Sequence, residues 1–341
     1  MPLIGIREVA RLADVSTATV SRVLNNSAHV DASKKARVLK VIEETGFKPN
    51  EIARSFTTKS SRIIGLILPN IMNPFFSEVG RAVEDRARRN NYQLILCNSD
   101  EDPEKQQEYY DTLKSIHADG IIIISNNTNL SALFKGSKIP VVIIDNSIFH
   151  PNVVASLYSN NYEGGRLATN HLIECGCKHI VSLSGKIEFP ASWFRWKGYT
   201  DVCVEQGLEP RYVESLFNFE DGYTNAQKLL DQYPDVDGIV AACDILAISL
   251  IRVLTERGKR IPQDVMVIGY DNISMDRVIT PALTTIAQPI AQLGHSAVDI
   301  LIETIKSGWK DDPKSTNSYE RREVVLPVEL IIRDTTCLIK S

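Results

Sequence analysis

The chain has 341 residues, of which 43% are hydrophobic and 23% charged, so it is long enough for more than one globular domain. It contains 38 Lys and Arg against 42 Asp and Glu, a formal net charge of −4. Its start lacks a charged region followed by a long apolar run, and no window approaches ~20 consecutive apolar residues. These features argue against export and membrane insertion, and we expect a cytoplasmic protein.

Positive charge is concentrated at the start of the chain. Residues 1–60 contain ten Lys or Arg and six Asp or Glu, a net charge of +4, so the remainder carries −8. Apolar residues recur at helical spacing over 6–13 and again over 20–24. Two short amphipathic helices at this spacing are typical of a helix-turn-helix unit. Only this basic segment is suited to the phosphates of DNA.

Local signals support three helices in this segment. Asp14 stands in the predicted turn and tolerates a left-handed backbone, and Ser16 is predicted to cap the second helix. A third helix is predicted over 32–45, with Gly46 as its C-terminal stop. Its expected inward-facing residues are Val38, Leu39 and Ile42. Because many three-helix units only bind other proteins, spacing and charge alone leave that alternative open.

Three stretches of the segment stand in a fixed order. They are IREVARLA from Ile6, VSTATVSRVLN from Val15, and GFKPN from Gly46, followed by Ala53-Arg54-Ser55. This order resembles the lactose-repressor (LacI/GalR) family of bacterial transcription regulators. The resemblance implies a regulator that binds double-stranded, pseudopalindromic operator DNA through a helix-turn-helix domain over 1–48.

The resemblance also assigns roles within the second helix. In that family the two residues after the turn and an arginine further along read bases, which implies base contacts by Thr17, Ala18 and Arg22. Ala18 offers only a methyl group, whereas arginine can pair with guanine. Residues expected to contact the DNA backbone are Ser16, Thr19, Ser21, Asn25 and His29. Such contacts fix the register of the protein rather than the sequence it selects.

Residues 49–60 resemble the hinge helix of the same family. Phe56 occupies the position at which a leucine usually presses into a central minor-groove step. An aromatic wedge can also unstack a flexible step and bend the DNA. The alternative is that Phe56 packs between the hinge and the core.

Beyond residue 61 the pattern changes to alternating short strands and helices. Strands are predicted over 63–69, 92–98, 120–125, 140–145, 179–184, 237–242 and 265–270. Helices are predicted in the second half over 163–175, 193–206, 223–232 and 246–257. This alternation predicts two α/β lobes, each a doubly wound parallel sheet, with a cleft between them that suits a small ligand.

The region over 61–341 resembles the effector core that the lactose-repressor family shares with periplasmic sugar-binding proteins. The implied lobes are discontinuous: an N-terminal lobe of about 61–160 and 290–323, and a C-terminal lobe of about 161–289 and 324–341. Three crossing segments would form the hinge between them. Closure of the lobes around a ligand would then reposition the DNA-binding heads.

The pocket pattern most similar to this chain is that of ribose-binding members. The matching positions are Asn73, Phe75, Phe76, Asp145, Asn146, Arg195, Phe219, Cys243, Asp244, Asp271 and Gln288. Carboxylates, an amide and arginine can hydrogen bond to several hydroxyls while aromatic rings cover apolar faces of a sugar. Asn146 and Cys243 depart from the ribose pattern, in which arginine and asparagine are usual. Taken singly, the phenylalanines are equally compatible with a core role, and Asp145 and Asp271 with loop capping.

These observations predict a homodimeric, sugar-controlled repressor of carbohydrate-utilisation genes, without enzymatic activity. The six cysteines are dispersed, so we expect reduced thiols, no metal and no cofactor. One alternative is a regulator on the same scaffold that responds to a purine or a phosphorylated metabolite as corepressor. Others are a sugar carrier for a transporter and an enzyme on a doubly wound fold.

Overall fold

The computed structural model describes residues 4–24, 30–47, 60–125, 130, 132–134, 137–146, 150–308 and 322–336. The chain divides into two compact units, Met1–Ser61 and Arg62–Ser341. Three residues with predicted DNA roles, Asn25, His29 and Phe56, lie outside the described residues, as does most of the predicted hinge.

The first unit contains three helices: α1 (Ile6–Leu12), α2 (Thr17–Leu24) and α3 (Ala32–Thr45). Asp14 has a φ of 49°, which confirms the left-handed turn between the first two helices. Ser16 Oγ accepts a hydrogen bond from the Thr19 amide at 3.2 Å and caps α2 as predicted. The core of the unit consists of Val9, Ala10, Ala13, Val20, Val23, Val38, Val41 and Phe47.

The third helix differs from its prediction at one residue. Asp31 caps its start, and Gly46 ends it with a left-handed φ of 62°. Leu39 is 50% exposed, so its predicted inward position is wrong, and Val41 is buried instead. The reason is geometric, because Val38, Val41 and Ile42 follow the spacing of one helix face and Leu39 lies off it.

The second unit alternates strands and helices along the chain. Its first half contains β1 (Ile63–Leu68), α4 (Pro74–Arg89), β2 (Gln93–Asn98), α5 (Pro103–Ser115), β3 (Gly120–Ile124), β4 (Val141–Ile144) and β5 (Val153–Ser159). Next come α6 (Asn161–Glu174), β6 (Ile180–Gly185), α7 (Pro190–Glu205), β7 (Arg211–Ser215), α8 (Phe219–Gln232), β8 (Gly238–Ala241), α9 (Asp244–Glu256) and β9 (Met266–Asp271). The last elements are β10 (Thr284–Ala287), α10 (Ile290–Lys306), β11 (Arg322–Leu326) and β12 (Glu329–Ile331).

The strands form two sheets with the same internal order. The first sheet has the order β11-β5-β4-β3-β1-β2, and the second β12-β10-β9-β8-β6-β7. All neighbouring strands are parallel except β12, which is antiparallel to β10. Fully apolar strands such as β3 and β4 are buried because helices cover both faces of a parallel sheet. The predicted fold class of two doubly wound lobes is confirmed.

The chain crosses between the two sheets three times. The crossings follow β5, β10 and β11. The third falls after Leu326, because β11 pairs with β5 along its whole length from Arg322 to Leu326. The predicted lobe boundary at 323/324 is therefore three residues early. The exposed Arg322 and Glu323 at the edge of the sheet conceal the start of this strand in the sequence.

Two further features concern cysteines and possible metal sites. Within the described ranges, Cys97, Cys177, Cys203 and Cys243 are free and buried, but Cys175 is disulfide-bonded. The expectation that every thiol is reduced is therefore wrong for Cys175. The described part of the chain contains no cluster of three His, Cys, Asp or Glu suited to a metal ion. It also contains no helix long and apolar enough to span a membrane.

Candidate functional site

Polar side chains of both lobes lie at the carboxyl ends of the parallel strands. Asp145 follows β4 of the first sheet, Asp271 ends β9 of the second, and Gln288 lies at the crossing after β10. Ligands of doubly wound folds bind outside these strand ends. All three side chains are nevertheless at least nine-tenths buried, which indicates a closed cleft rather than an open surface.

Arg195, on α7, lies at the centre of this cleft. Its Nε donates a hydrogen bond to Asn161 Oδ1 at 2.7 Å, and its Nη1 donates to the Ala242 carbonyl oxygen at 2.6 Å. The guanidinium carbon lies 3.7 Å from the centre of the Tyr270 ring, a close cation–π contact. These contacts fix the guanidinium, which is only 8% exposed.

Two aspartates face this arginine. Asp271 Oδ1 lies 3.9 Å from Arg195 Nη1 and accepts a hydrogen bond from Gln288 Nε2 at 2.6 Å. Burial raises the pKa of Asp271 well above its usual value, and the positive charge of Arg195 acts in the opposite direction. The pKa of Asp145 is also raised by burial and opposed by Arg195. One cation and two acids therefore share a site from which bulk water is largely excluded.

The backbone at both aspartates adopts conformations that L-residues rarely occupy. Asp145 has a φ of 62° and Asp271 a φ of 126°. Such conformations cost about 1 to 3 kcal/mol each and are concentrated at ligand-binding and active sites. Their occurrence on two facing residues supports a binding role for this cleft.

Several polar atoms around the cleft have no hydrogen-bond partner. Within the described ranges these buried atoms include Asp145 Oδ1, Gln288 Oε1, Tyr270 Oη and Ser192 Oγ. Buried polar groups are normally satisfied, because an unpaired one costs about 1 to 3 kcal/mol. A ligand with hydroxyl groups would donate hydrogen bonds to the two unpaired acceptors, Asp145 Oδ1 and Gln288 Oε1, beside the fixed arginine.

Other predicted pocket residues are already engaged by the protein. Asn73 Oδ1 caps α4, and its Nδ2 donates to the Phe217 carbonyl oxygen at 3.4 Å, which joins the two lobes. Asn146 Nδ2 donates to the Ser125 carbonyl oxygen at 3.1 Å. Both side chains are buried, and their hydrogen bonds hold the loops beside the cleft in place.

Cys243 and Asp244 differ in their surroundings although they are adjacent. The buried Cys243 thiol lies near Arg195 and Asp271, and burial raises its pKa well above the usual value. Asp244 is completely buried, and its two oxygens accept hydrogen bonds from Thr285 Oγ1 and the Ile273 amide. Cys243 therefore lies beside Arg195 and Asp271. Asp244 instead holds Thr285 and the backbone at Ile273 in place through its hydrogen bonds.

The three predicted aromatic residues do not share one environment. Phe75 and Phe76 are buried in the apolar core of the first lobe, with ring centres 5.2 Å apart. Phe219 is 43% exposed and stacks on Tyr223 at the start of α8. The phenylalanines after β1 thus pack the core close to Asn73, while Phe219 lies at the surface.

Sequence reasoning did not identify three of the groups around Arg195. They are the Asn161 side chain, the Tyr270 ring and the Ala242 carbonyl oxygen. Asn161 could have been found, because it follows the end of β5 just as Asp145 follows the end of β4. The carbonyl group carries no signal in the residue type, so only the fold reveals it.

The first unit presents its own polar surface on α2. Thr17, Ala18 and Arg22 are all exposed, whereas Val20 and Val23 of the same helix point into the core. The predicted base-contacting residues therefore share the outer face of one short helix. Ser16, Thr19 and Ser21 lie at its start and along its side, with the Ser16 hydroxyl 3.0 Å from that of Thr19.

Both units match known families. Residues 5–50 match the family described as bacterial regulatory proteins, lacI family. Residues 61–334 match the periplasmic binding proteins and sugar binding domain of LacI family. Together these matches span both structural units.

Two curated relatives are similar over nearly the whole chain. A ribose operon repressor of Halalkalibacterium halodurans is 37% identical over 97% of this chain and 96% of its own. The HTH-type transcriptional repressor PurR of Haemophilus influenzae is 35% identical over 96% of this chain and 97% of its own.

Two solved structures extend the comparison. A LacI transcriptional regulator from Alkaliphilus metalliredigens, complexed with D-xylulofuranose, has a TM-score of 0.72 and 35% identity over 81% of this chain and 100% of its own. The lac repressor dimer bound to operator has a TM-score of 0.84 and 25% identity over 98% of this chain and 99% of its own. The chain therefore belongs to the LacI family of bacterial transcription regulators, with a helix-turn-helix DNA-binding domain and a two-lobed core of the periplasmic-binding-protein fold.

Proposed function

We propose that this regulator is a repressor of carbohydrate-utilisation genes whose operator binding is controlled by an uncharged, ribose-like sugar. The sugar occupies the cleft around Arg195. The observation that carries the proposal is the pair of buried, unpartnered acceptors, Asp145 Oδ1 and Gln288 Oε1, beside the fixed guanidinium. A hydroxyl can donate to such acceptors and accept from an arginine at once, so a polyol fits this mixed set.

The relatives support a pentose. One is a ribose operon repressor, and one solved relative holds D-xylulofuranose. Asp271 and Gln288, joined by a 2.6 Å hydrogen bond, offer a rigid edge for neighbouring hydroxyls. Binding energy that differs between the two arrangements of the lobes would make the sugar an effector.

A purine or phosphorylated metabolite is the second candidate, and the relative named PurR favours it. Hydrogen bonding argues against a phosphorylated ligand, because a phosphate brings only acceptors to a site whose unpaired groups include the acceptors Asp145 Oδ1 and Gln288 Oε1. A buried acceptor that is left without a donor costs about 1 to 3 kcal/mol.

On the DNA side, we propose that Thr17, Ala18 and Arg22 contact bases and that Ser16, Thr19 and Ser21 contact phosphates. The exposure of Thr17, Ala18 and Arg22 on α2, and of Ser16 just before it, supports this assignment; Thr19 and Ser21 are partly exposed beside them. The roles of Asn25, His29 and the minor-groove lever Phe56 remain proposals from the family resemblance alone. Two heads on adjacent half-sites would combine their contacts, so we propose a homodimer acting in the cytoplasm, without enzymatic activity.

Calorimetry on the full-length protein tests the effector. We expect D-ribose to bind, and D-ribose 5-phosphate to bind roughly 10-fold to 100-fold more weakly because its phosphate offers no donor to Asp145 Oδ1 and Gln288 Oε1. Arg195→Ala and Asp271→Ala should abolish the influence of ribose on operator affinity. Arg211→Ala serves as a matched control, because this arginine pairs with Asp235 outside the cleft.

The contrary results are equally specific. Tighter binding of hypoxanthine or of ribose 5-phosphate than of any free sugar would overturn the sugar proposal in favour of the second candidate. An undiminished operator response in both the Arg195 and Asp271 variants would remove these residues from the site.

A further inference from the structure

One side chain that bonds to Arg195, that of Asn161, lies directly after the first crossing between the lobes. Asn161 is the first residue of α6, immediately after the segment that leaves β5 of the first sheet. Its Oδ1 accepts a hydrogen bond from Arg195 Nε at 2.7 Å, and both side chains are buried. We propose that Asn161 is a positioning residue that sets effector affinity by fixing the Arg195 guanidinium. This inference rests on the proposed function.

Two contacts other than the bond to Asn161 also restrict the Arg195 guanidinium. The Tyr270 ring lies against one face of the guanidinium at 3.7 Å, and the Ala242 carbonyl oxygen holds Nη1. These two contacts fix the plane and one end of the group. The bond from Nε to Asn161 fixes its rotation within that plane, and hence the direction in which its remaining N–H groups point. Directional donors bind a hydroxyl only when they are held in the correct geometry.

The same bond connects the pocket with the lobe crossings. Gln288 lies at the second crossing and donates to Asp271, which faces Arg195 at 3.9 Å, and Arg195 bonds to Asn161 after the first crossing. A continuous buried polar chain thus runs from one crossing to the other through the ligand-contacting groups. Removal of Asn161 Oδ1 breaks this chain at one end while leaving Arg195 and both aspartates present.

Two isosteric variants separate the acceptor from the shape. Asn161→Leu keeps the branched shape of the side chain and removes the acceptor, whereas Asn161→Asp retains an acceptor for Nε. We expect Asn161→Leu to raise the Kd for D-ribose by roughly 10-fold to 100-fold, the effect of losing one hydrogen bond to a charged group. Asn161→Asp should stay within roughly 5-fold of the parent protein.

The control is the preceding residue. The Asn160 side chain caps the same helix by accepting a hydrogen bond from the Glu163 amide at 3.2 Å. Its backbone makes two further hydrogen bonds, from its amide to the Leu326 carbonyl oxygen and from the Gly164 amide to its carbonyl oxygen. Asn160→Ala therefore weakens the start of α6 without touching Arg195, and it should leave the Kd unchanged. In an Arg195→Lys background, which lacks Nε–H, Asn161→Leu should have no further effect. An equal loss in both backgrounds would show a merely structural role and overturn the inference.

A second measurement does not depend on the ligand. In the ¹⁵N spectrum of the ligand-free, full-length protein, the Arg195 Nε–H should exchange slowly and be identified by its loss in Arg195→Lys. We expect this protected signal to vanish in Asn161→Leu and to persist in Asn161→Asp and Asn160→Ala. Its survival in Asn161→Leu would overturn the inference even if ribose proves not to be the effector, whereas failure of ribose to bind would refute only the proposed function.

Discussion

At the scale of single residues, the most unusual feature outside the Arg195 cluster is a pair of buried carboxyls. Asp244 and Asp276 are both completely buried and lie side by side. Asp244 receives protein donors, but neither oxygen of Asp276 does, and the Arg333 guanidinium is 3.9 Å away. Two ionised carboxylates at this distance would repel each other, and neither could donate a hydrogen bond to the other. We therefore infer that the pair retains one proton. Burial, followed by repulsion from Asp244, raises the pKa of Asp276 accordingly.

This pair predicts a stability that falls as pH rises. Between the ordinary aspartate pKa and the raised one, the folded protein keeps a proton that the unfolded chain has lost, so the slope of unfolding free energy against pH is negative. Asp276→Asn replaces the carboxyl with an amide that does not titrate. The slope of unfolding free energy against pH should therefore become less negative by on the order of 1 kcal/mol per pH unit between pH 5 and 8. Urea denaturation across that range measures it.

The exposed Asp334→Asn provides the comparison and should leave the slope unchanged. A slope in Asp276→Asn equal to that of the parent protein would mean that the pair carries no proton in this pH range.

At the scale of elements, α6 and α7 approach closely at two glycines. A Cβ added to Gly165 would lie 2.1 Å from the Arg195 carbonyl oxygen, and one added to Gly198 would lie 2.2 Å from the Tyr162 carbonyl oxygen. Both obstacles are backbone atoms, which cannot move like the end of a side chain. This close approach brings the backbone of Arg195 against α6, which carries its partner Asn161.

Gly165→Ala should therefore separate the two helices. We expect a loss of unfolding free energy of about 1 to 3 kcal/mol together with weaker effector binding, since the alanine displaces the turn of α7 that holds Arg195. Gly80→Ala in α4 is the matched change, because its new Cβ would meet only side chains at 3.5 Å or more and the helix gains propensity. Equal stability of the two variants in denaturant titrations would contradict this account.

The elements also show how far the sequence determines the site. Isoleucine-rich runs and alternating helices predicted seven of the twelve described strands. The resemblance to ribose-binding members, not the strand pattern, implied Asp145, Arg195, Asp271 and Gln288, which the fold brings together. Leu39 was misplaced, and the lobe boundary at 323/324 was set three residues early, because the local polarity pattern is ambiguous at both places. Asn161 was missed because β5, the strand that it follows, was not among the predicted strands. The Ala242 carbonyl group was missed because its role depends on which loop lies beside Arg195, a tertiary fact that no local pattern encodes.

At the scale of the whole core, a short segment joins the pocket to the opposite lobe. Asp271 faces Arg195, and two residues later Ile273 is completely buried within the apolar cluster of the first lobe. The next amide, that of Ser274, donates to Glu78 on α4 at 2.9 Å. The segment after β9 is thus anchored in both lobes, and a ligand held by Asp271 acts on a residue adjacent to this junction.

Ile273→Ala tests whether the junction favours the closed cleft. Loss of apolar contact with the first lobe should reduce the population of closed molecules, and the apparent effector Kd rises in inverse proportion to that population. We expect roughly a 10-fold weaker effector Kd, with faster hydrogen exchange at the start of α4, where Glu78 lies. Calorimetry and exchange mass spectrometry measure the two effects.

Val278→Ala distinguishes this mechanism from a general loss of packing. Val278 belongs to the same loop region but is 80% exposed, so its truncation should change neither the affinity nor the exchange of α4. If Ile273→Ala lowers the unfolding free energy while affinity and α4 exchange stay at parent values, the residue only fills space. If the unfolding free energy, the effector affinity and the exchange of α4 all change, the segment from Asp271 to Ser274 links ligand binding to the position of α4, the first helix of that lobe.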